Sequence, residues 1–423
     1  MKSAWLILLL SSATARADGA LTLDDALHQA RVANARLPVA ALDVDIDRAR
    51  VKEARARRWA TFHLDGDLRY APPGARYNGA QTANEERLQV VALQPLYQGG
   101  GIRAGMAVAD GQLSATTSRY RAVEKDVDLE VRTRFSELVK ASNEVQLRRE
   151  GVDRLRTYLS GIRSRQAAGQ GIAADAFKTE VRLDNEEANI NDTQRRIDEA
   201  RLELNDLMGR DPATPLQVAP LPFPTPPVVA GRDDPWNTAP ELQVAAAELR
   251  AAVAAIAVTR AQRRPHFDLA IDAGLWGSGL TDDPRGVGFV GRLRNDLGVS
   301  ATLLFSWAFW DFGIYRARLR QAELGRDQAR ANQLVVMRHA RLESRRAGTD
   351  LENLFREIAA RARTIPAARD SYLEAESLYR GGAGTALEVL DSYTQWIAAQ
   401  NAYQVALLSY RIAAATALRW GTP

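Results

Sequence analysis

Four segments of the chain alternate apolar and polar residues with a period of two. They cover residues 62–70, 87–96, 266–275 and 297–309, and the second is the weakest. Because successive side chains of a strand point to opposite faces, each segment predicts a β-strand with one apolar and one polar face. Strands of about ten residues with aromatic ends are typical of membrane β-barrels. The strands alone leave a soluble sheet with one wet face equally open.

The predicted polar faces carry acids and histidines. In a barrel these side chains would line a wet lumen, while Leu269, Ile271 and Leu303 on the apolar faces would contact lipid. The predicted lumen residues are His63, Asp65, Asp67, Asp268 and Asp272. Metal ligation by His63 and His266 is the weaker hypothesis, because the two histidines lie far apart in the sequence and in no ligand spacing.

Long helical stripes accompany the predicted strands. Residues 103–167 lack proline, and their apolar positions recur at steps of three, four and seven, which predicts one helix of about 65 residues and roughly 100 Å. Residues 172–208 predict a helix that returns antiparallel to it. The ranges 314–380 and 385–419 predict a second such pair, with a kink at Pro366. Helical hairpins that alternate twice with pairs of barrel-like strands favour a membrane channel over a soluble sheet.

The chain contains an internal repeat. Residues 55–64 resemble residues 260–269, and the paired glycines Gly169 and Gly171 match Gly382 and Gly384. Between them, Gly101-Ile102 matches Gly313-Ile314. The offset grows in order from 205 to 212 to 213 residues, which a chance match would not produce. A segment with eight prolines, residues 211–235, separates the halves and predicts an extended tether.

This repeat defines the predicted domain organisation. We expect a signal peptide at 1–17, a first repeat at 18–210, a Pro-rich linker at 211–237 and a second repeat at 238–423. The signal prediction rests on Lys2, the apolar run 4–10 and the A-x-A sequence at 15–17. No later stretch approaches 18 uninterrupted apolar residues, so the sequence predicts no membrane-spanning helix.

Composition and charge narrow the function classes. The chain has no cysteine, which excludes disulfides, thiolate metal sites and cysteine nucleophiles. Removing Lys2 and Arg16 with the signal lowers the formal net charge from +4 to +2, and this mixed charge argues against nucleic-acid binding. The sequence shows no serine-nucleophile, phosphate-loop or HExxH motif. We therefore expect a protein that is not an enzyme and holds no cofactor or metal.

Several short segments resemble one known family in their order and spacing. They are residues 21–27 (LTLDDAL), 94–100 (QPLYQGG), 379–385 (YRGGAGT) and 387–391 (LEVLD). Over essentially the whole mature chain, the sequence resembles the TolC-like outer membrane efflux proteins. The resemblance implies a homotrimer in the outer membrane of a Gram-negative bacterium, with a large periplasmic part. Each protomer would lend four strands to a twelve-stranded barrel and four long helices to a periplasmic tunnel.

The resemblance also implies a function and partners. The chain would be a passive exit duct of a tripartite efflux or type I secretion system, working with a periplasmic adaptor (a membrane fusion protein) and an inner-membrane pump. Closure by three copies agrees with the strand count, because four strands leave two unpaired edges that a bilayer does not tolerate. The alternative is a soluble periplasmic coiled-coil adaptor, which would lack duplicated lipid-facing strands. The loops 71–86 and 277–295 are expected to face the outside.

The family's periplasmic gate maps onto residues near the helix tips. The resemblance implies Asp175, Tyr379, Glu388 and Asp391 as gate residues, while Gly384 occupies the position of the family's arginine. The alternative for the acids is helix capping, because acids favour the first turn of a helix. The resemblance further implies adaptor docking at the tips. The tip residues are Gly169, Gly171, Gly382, Gly384 and Thr385.

Overall fold

The computed structural model describes residues 20–69, 76–77, 80–81, 85–169, 172–226, 235–277 and 297–420. The protein is mostly helical. Its helices are α1 (Leu23–Ala33), α2 (Arg36–Ala56), α3 (Gly101–Ala167), α4 (Ala173–Leu207), α5 (Pro240–Ala261), α6 (Ile314–Arg380) and α7 (Ala386–Arg419), with a 3-10 turn at Pro235–Thr238. Its strands are β1 (Thr61–Arg69), β2 (Arg76–Tyr77), β3 (Ala80–Gln81), β4 (Glu85–Gln98), β5 (His266–Gly277) and β6 (Leu297–Ser306). The predicted signal peptide lies outside the described residues.

Four strands form one antiparallel sheet in the order β1-β4-β5-β6, and β2 pairs with β3 within the predicted loop 71–86. Each of the four lies at a predicted strand position. The prediction that the last strand extends to residue 309 is wrong. Ser306 pairs with His266, the first residue of β5, so the residues after Ser306 have no ladder partner.

The helical hairpins lie where the hydrophobic stripes predicted them. Helices α3 and α6 each contain 67 residues, a length of roughly 100 Å at about 1.5 Å per residue. Helix α6 continues through Pro366. It begins after Asp311, whose carboxylate accepts hydrogen bonds from the backbone N–H groups of Gly313 and Tyr315.

The chain divides into two compact units, each built from both halves of the sequence. Unit 1 contains residues 1–38, 123–237 and 341–423, and unit 2 contains residues 39–122 and 238–340. In unit 1, apolar side chains of α1, α3 and α4 form a buried cluster around Val127, Val131 and Phe135. The predicted boundaries of the sequence repeats are not tested by this spatial division and stay a prediction.

The described part of the Pro-rich segment, residues 211–226, packs within unit 1 instead of forming a free tether. Leu21 and Val218 form a parallel bridge, and Val218 packs against the cluster around Val131. On α7, the Tyr410 hydroxyl donates to the Thr225 carbonyl at 2.8 Å. The described part of the segment is thus held by hydrogen bonds and apolar contacts, and the predicted bounds of the linker stay a prediction.

Among the described residues, α5 alone is long and apolar enough by composition to cross a membrane. Two contacts show how it packs within unit 2. Glu248 forms an ion pair with Arg119 of α3, and Ala251 lies against Gly111 of α3 so closely that a Cβ on Gly111 would meet the Ala251 Cβ at 2.9 Å. This helix is therefore docked on a protein surface along the side that carries Glu248 and Ala251.

Candidate functional site

The two hairpin turns of unit 1 are closed by glycines and by a helix cap. Gly169 and Gly382 adopt positive φ values of 75° and 78°, while Gly171 lies outside the described residues. At the start of α7, the Thr385 side chain accepts from the Glu388 backbone N–H at 3.3 Å. The Glu388 carboxylate accepts from the Thr385 backbone N–H at 2.9 Å, which completes a capping box. Glu388 therefore has a capping role in the fold.

Gly384 lies where the turn folds back on the end of α6. Its backbone N–H donates to the Leu378 carbonyl at 3.1 Å. A Cβ at this position would lie 3.1 Å from both the Leu378 Cβ and the Tyr379 backbone nitrogen, which is tighter than ordinary contact. The turn thus favours glycine at the position where the family resemblance places an arginine.

Tyr379 lies in a cluster of two tyrosines and an arginine. Its ring centroid is 5.2 Å from that of Tyr158 on α3. The Arg165 guanidinium stacks over the Tyr379 ring at 4.6 Å and donates to the carbonyls of Tyr379 and Arg380 at 2.9 and 3.0 Å. Arg165 thereby satisfies two carbonyls at the end of α6 and brings a positive charge to the predicted gate tyrosine. The sequence reasoning missed Arg165, and only its position in the last turn of a predicted helix pointed to carbonyl binding.

The predicted gate acids occupy two places in the hairpin ends. Asp175 lies half-buried in the first turn of α4. Burial raises the pKa of the Tyr158 hydroxyl, and the nearby Tyr379 and Asp175 raise it further. The neighbouring Ala176 packs in a cluster with Tyr158 and Tyr379, which places Asp175 near the two tyrosines. Asp391 is exposed, and none of the described residues forms an ion pair with it.

Glu388 and Asp391 lie on α7, on either side of Val389 and Leu390. These two apolar residues belong to a buried cluster against which Tyr379 also packs. The acids of α7 are thus neighbours in sequence of residues that pack with Tyr379. The assignment of these four residues as a gate stays a prediction.

A buried charge network links α3 to α4 deeper in unit 1. Arg148 donates to Glu144 and to Glu186, both at 2.9 Å, and Lys140 and Arg196 lie 3.3 and 3.6 Å from Glu144. Burial alone would raise the pKa of Glu144, but the Arg148 hydrogen bond and the surrounding positive charges hold that pKa below its usual value. The sequence reasoning missed this network, although the spacing of Lys140, Glu144 and Arg148 by four residues could have indicated ion pairs.

The five predicted lumen residues lie on one face of the sheet. The register aligns His63 with Val91 and Val91 with Asp272, so their side chains share a face. Three acids have partners there. Asp67 lies 3.5 Å from Arg87, Asp268 accepts from Gln98 at 2.6 Å, and Asp272 accepts from Ser300 at 2.6 Å. Whether this face lines a lumen stays a prediction.

The opposite face of the sheet is apolar and exposed. Phe62, Leu64, Val90, Ile271, Val299 and Leu303 all belong to it by register and are exposed in the single chain. The edge strands β1 and β6 each pair on one side only within the sheet of described strands. The sheet therefore presents an uncovered apolar face and two open edges.

Comparisons with known proteins agree with this arrangement. The profile of the outer membrane efflux protein family matches residues 26–210 and 236–419. The chain therefore belongs to the outer membrane efflux protein family, a family of transport ducts and not of enzymes, and lies in the outer membrane of a Gram-negative bacterium with a large periplasmic part. The resemblance to TolC-like proteins is confirmed.

Individual relatives extend the comparison. The chain is 27% identical over 316 residues to Protein CyaE of Bordetella pertussis, and the match covers 72% of this chain and 64% of CyaE. The chain thus matches less than two thirds of that relative's length. The outer-membrane channel OprN is similar in fold, with 21% identity and a TM-score of 0.84. The match covers 95% of this chain and 89% of the OprN chain. The outer membrane protein VceC of Vibrio cholerae has 16% identity, a TM-score of 0.84 and coverage of 95% and 96%.

Proposed function

We propose that the protein is one subunit of a passive, homotrimeric exit duct in the outer membrane. The observation that carries the proposal is the four-stranded sheet, which exposes an apolar face and leaves β1 and β6 unpaired on their outer sides. Backbone groups in a bilayer must be hydrogen-bonded internally. A single copy of this sheet cannot meet that requirement, whereas a ring of copies that pairs β1 with β6 of the next copy leaves no edge.

Three copies would form a twelve-stranded barrel with the polar face inside. His63, Asp65, Asp67, Asp268 and Asp272 would then line a wet lumen, and Ile271 and Leu303 would face lipid. The hairpins α3–α4 and α6–α7 would continue the duct as a tunnel in the periplasm. This arrangement uses the helix, two strands and helical hairpin of each half as equivalent parts of a twofold internal repeat.

The duct would receive its cargo from an inner-membrane pump through a periplasmic adaptor, in a tripartite efflux or type I secretion system. No phosphate-binding or catalytic motif occurs in the sequence, which supports a passive role with energy supplied by the pump. The turns at Gly169–Gly171 and Gly382–Thr385 are the proposed docking tips for the adaptor. Family membership and the uncovered sheet favour the duct over a soluble adaptor.

Fractionation of cells that express the full chain tests the duct. We expect the protein in detergent extracts of the outer membrane as a trimer that separates into monomers on heating. A matched variant, Asp272→Asn, should behave in the same way because it retains an acceptor for Ser300. Release of the wild-type chain with the soluble periplasmic fraction would contradict the proposal and support the adaptor.

The helix tips are proposed to form a cation-binding gate. In a trimer, Asp175, Glu388 and Asp391 would place about nine carboxylates around one opening, and their mutual repulsion favours an open mouth unless cations neutralise it. Arg165 stacks on Tyr379 and offsets part of this charge. The exposed Asp391 and the cap acid Glu388 are therefore the stronger candidates for cation binding.

Current recordings across planar bilayers test this gate. The wild-type channel should prefer cations and be blocked by trivalent metal ions added on the periplasmic side. The Glu388→Gln, Asp391→Asn double variant should lose most of the block while the trimer remains. If block and selectivity persist in this variant and after addition of Asp175→Asn, the acids act as helix caps only.

A further inference from the structure

One end of the sheet joins all four strands to helices. Gln98 at the end of β4 pairs with His266 at the start of β5, and His266 pairs with Ser306 at the end of β6. The segment that follows β6 therefore starts beside the residues that precede β5. This places residues 307–318 next to residues 262–264 within unit 2.

The segment after β6 exposes four aromatic rings. Trp307, Phe309, Trp310 and Phe312 are all exposed in the chain. Phe312 is 93% exposed and has a φ of 50°, a left-handed conformation that is unusual for a bulky residue. The Asp311 carboxylate fixes this turn by accepting from the backbone N–H groups of Gly313 and Tyr315 at 3.1 and 2.8 Å. The local structure thus holds a large apolar ring outward at a strained position.

Arginines surround this aromatic segment. The Trp307 indole N–H donates to the Arg263 carbonyl at 3.1 Å, and the Arg263 guanidinium lies over the Tyr315 ring at 5.3 Å. Arg318 donates to the Gln262 side chain at 3.4 Å, and Arg316 is exposed on the first turn of α6. These contacts place the Arg263 and Arg318 guanidinium groups beside the segment with the exposed rings, and Arg316 adds a third exposed guanidinium group on the same helical turn.

Acids balance little of this positive charge. Asp311 approaches Arg263 only to 3.9 Å, and both of its oxygens already accept backbone hydrogen bonds. Within the described part of the chain, neither Arg316 nor Arg318 forms an ion pair. The surface therefore combines unpaired positive charge with outward aromatic rings, and tryptophan rings such as Trp307 and Trp310 prefer the level of lipid headgroups.

We propose that Arg263, Arg316 and Arg318, together with Trp307 and Phe312, bind the headgroup of an anionic phospholipid such as phosphatidylglycerol. We call this surface the basic–aromatic junction. The rings enter the apolar boundary of the bilayer, and the guanidinium groups donate hydrogen bonds to the lipid phosphate. The inference rests on the proposed function, because it requires the apolar face of the sheet to lie in the membrane.

Native mass spectrometry of the detergent-purified full-length complex tests the junction. After incubation with equal amounts of phosphatidylglycerol and phosphatidylcholine, the wild type should retain the anionic lipid with about tenfold preference. The Arg263→Gln, Arg316→Gln, Arg318→Gln variant should retain both lipids about equally. Millimolar inorganic phosphate should not displace the lipid, because the rings need the acyl region.

Two further variants control for charge and folding. The first control removes the same charge from three exposed positions further along α6, with the changes Arg345→Gln, Arg356→Gln and Arg361→Gln. It should keep the preference for the anionic lipid. The double variant Arg316→Gln, Arg318→Gln breaks no ion pair of the described residues. It should also reduce the preference for the anionic lipid, and it replaces the triple variant if that variant fails to assemble. Equal retention of both lipids by the wild type, or an unchanged preference in the double variant, would overturn the inference. Absence of the wild type from the membrane extract would instead contradict the proposed function.

Discussion

The sheet and the helical core of unit 1 use the same apolar residue types in opposite ways. In unit 1, Val127, Val131 and Phe135 are 0% exposed and pack between helices. In the sheet, Phe62 is 74% exposed and Val299 is 71% exposed. Since both sets follow a regular pattern, the difference lies in their surroundings. The helices bury their stripe against protein, whereas the apolar face of the sheet is exposed in the single chain and is proposed to contact lipid.

The charged residues show the reverse distribution. Unit 1 buries Glu144 and Glu186 in a network with arginines, while Asp67 and Asp272 of the sheet lie on the face opposite the apolar one. Burial of a charge is tolerated only when opposite charges and hydrogen bonds compensate it. A charge is therefore acceptable inside unit 1 at its paired positions, whereas the proposed lipid contact would make a charge costly on the apolar face of the sheet.

The largest effect is expected for a charge on that apolar face. Ile271→Arg should reduce the yield of trimer in the outer membrane, because arginine near the bilayer midplane costs about 2–4 kcal/mol on a barrel's lipid face. The neighbouring change Asp272→Asn lies on the polar face and should be mild. Trimer yield from detergent extracts measures both. Equal yields, or a larger loss for Asp272→Asn, would show that the faces are assigned the wrong way round.

A smaller effect is expected when the buried network of unit 1 loses one acid. Glu144→Gln should lower the free energy of unfolding by about 2–3 kcal/mol at neutral pH, because it leaves buried positive charge undercompensated. The variant Glu137→Gln, on a partly exposed acid, is a matched control and should change stability by well under about 1 kcal/mol. Thermal unfolding followed by circular dichroism measures the difference.

The same network predicts a pH dependence. The pKa of Glu144 is lower in the folded protein than in the unfolded chain, so its stabilising contribution is complete above the unfolded pKa of about 4.3. That contribution should disappear as the pH falls through the folded pKa. The difference in melting temperature between wild type and Glu144→Gln should therefore shrink below about pH 4. A difference that grows on acidification would contradict the assignment.

A packing change in unit 1 should have a further, smaller effect. A Cβ on Gly151 of α3 would lie 2.0 Å from the Tyr393 hydroxyl oxygen of α7, and burial raises the pKa of that hydroxyl to about 12. Gly151→Ala should thus destabilise the protein by about 1–2 kcal/mol. Gly161→Ala on the same helix meets no neighbouring atom and should be neutral or slightly stabilising. Equal melting temperatures for the two variants would show that α3 and α7 adjust freely.

The smallest effect on stability is expected from insertions at the predicted outer loops. An epitope inserted near Asn78 or Asp283 should be labelled on intact cells, because both positions fall in the predicted outer loops 71–86 and 277–295, although both residues lie outside the described part of the chain. An epitope at the Gly382 turn should be labelled only after permeabilisation, as expected for the periplasmic end. Labelling at all three sites only after permeabilisation would contradict the proposed topology.

Local pattern predicted the elements well because hydrophobic periodicity acts within one segment. It failed where distant segments meet. The extension of the last strand beyond Ser306 is decided by where β5 begins, and the contact of Arg165 with Tyr379 joins residues 214 positions apart. The network around Glu144 was missed because the link through Arg148 to Glu186, and the burial of both acids, depend on the packing of α4. The bridge between Leu21 and Val218 could likewise not be predicted from composition.

Disulfide trapping between the two edge strands tests the central claim most directly, because the chain has no native cysteine. Leu64→Cys on β1 would be combined in turn with Val299→Cys, Ala301→Cys and Leu303→Cys on β6. If β1 pairs with β6 of the next copy, at least one combination should give covalent dimers and trimers on oxidation in the outer membrane. The control pair Leu64→Cys, Ile271→Cys should give none, because β4 separates those strands by about 10 Å. Failure of every edge pair to form covalent oligomers in membrane-inserted protein would contradict closure of the sheet by neighbouring copies.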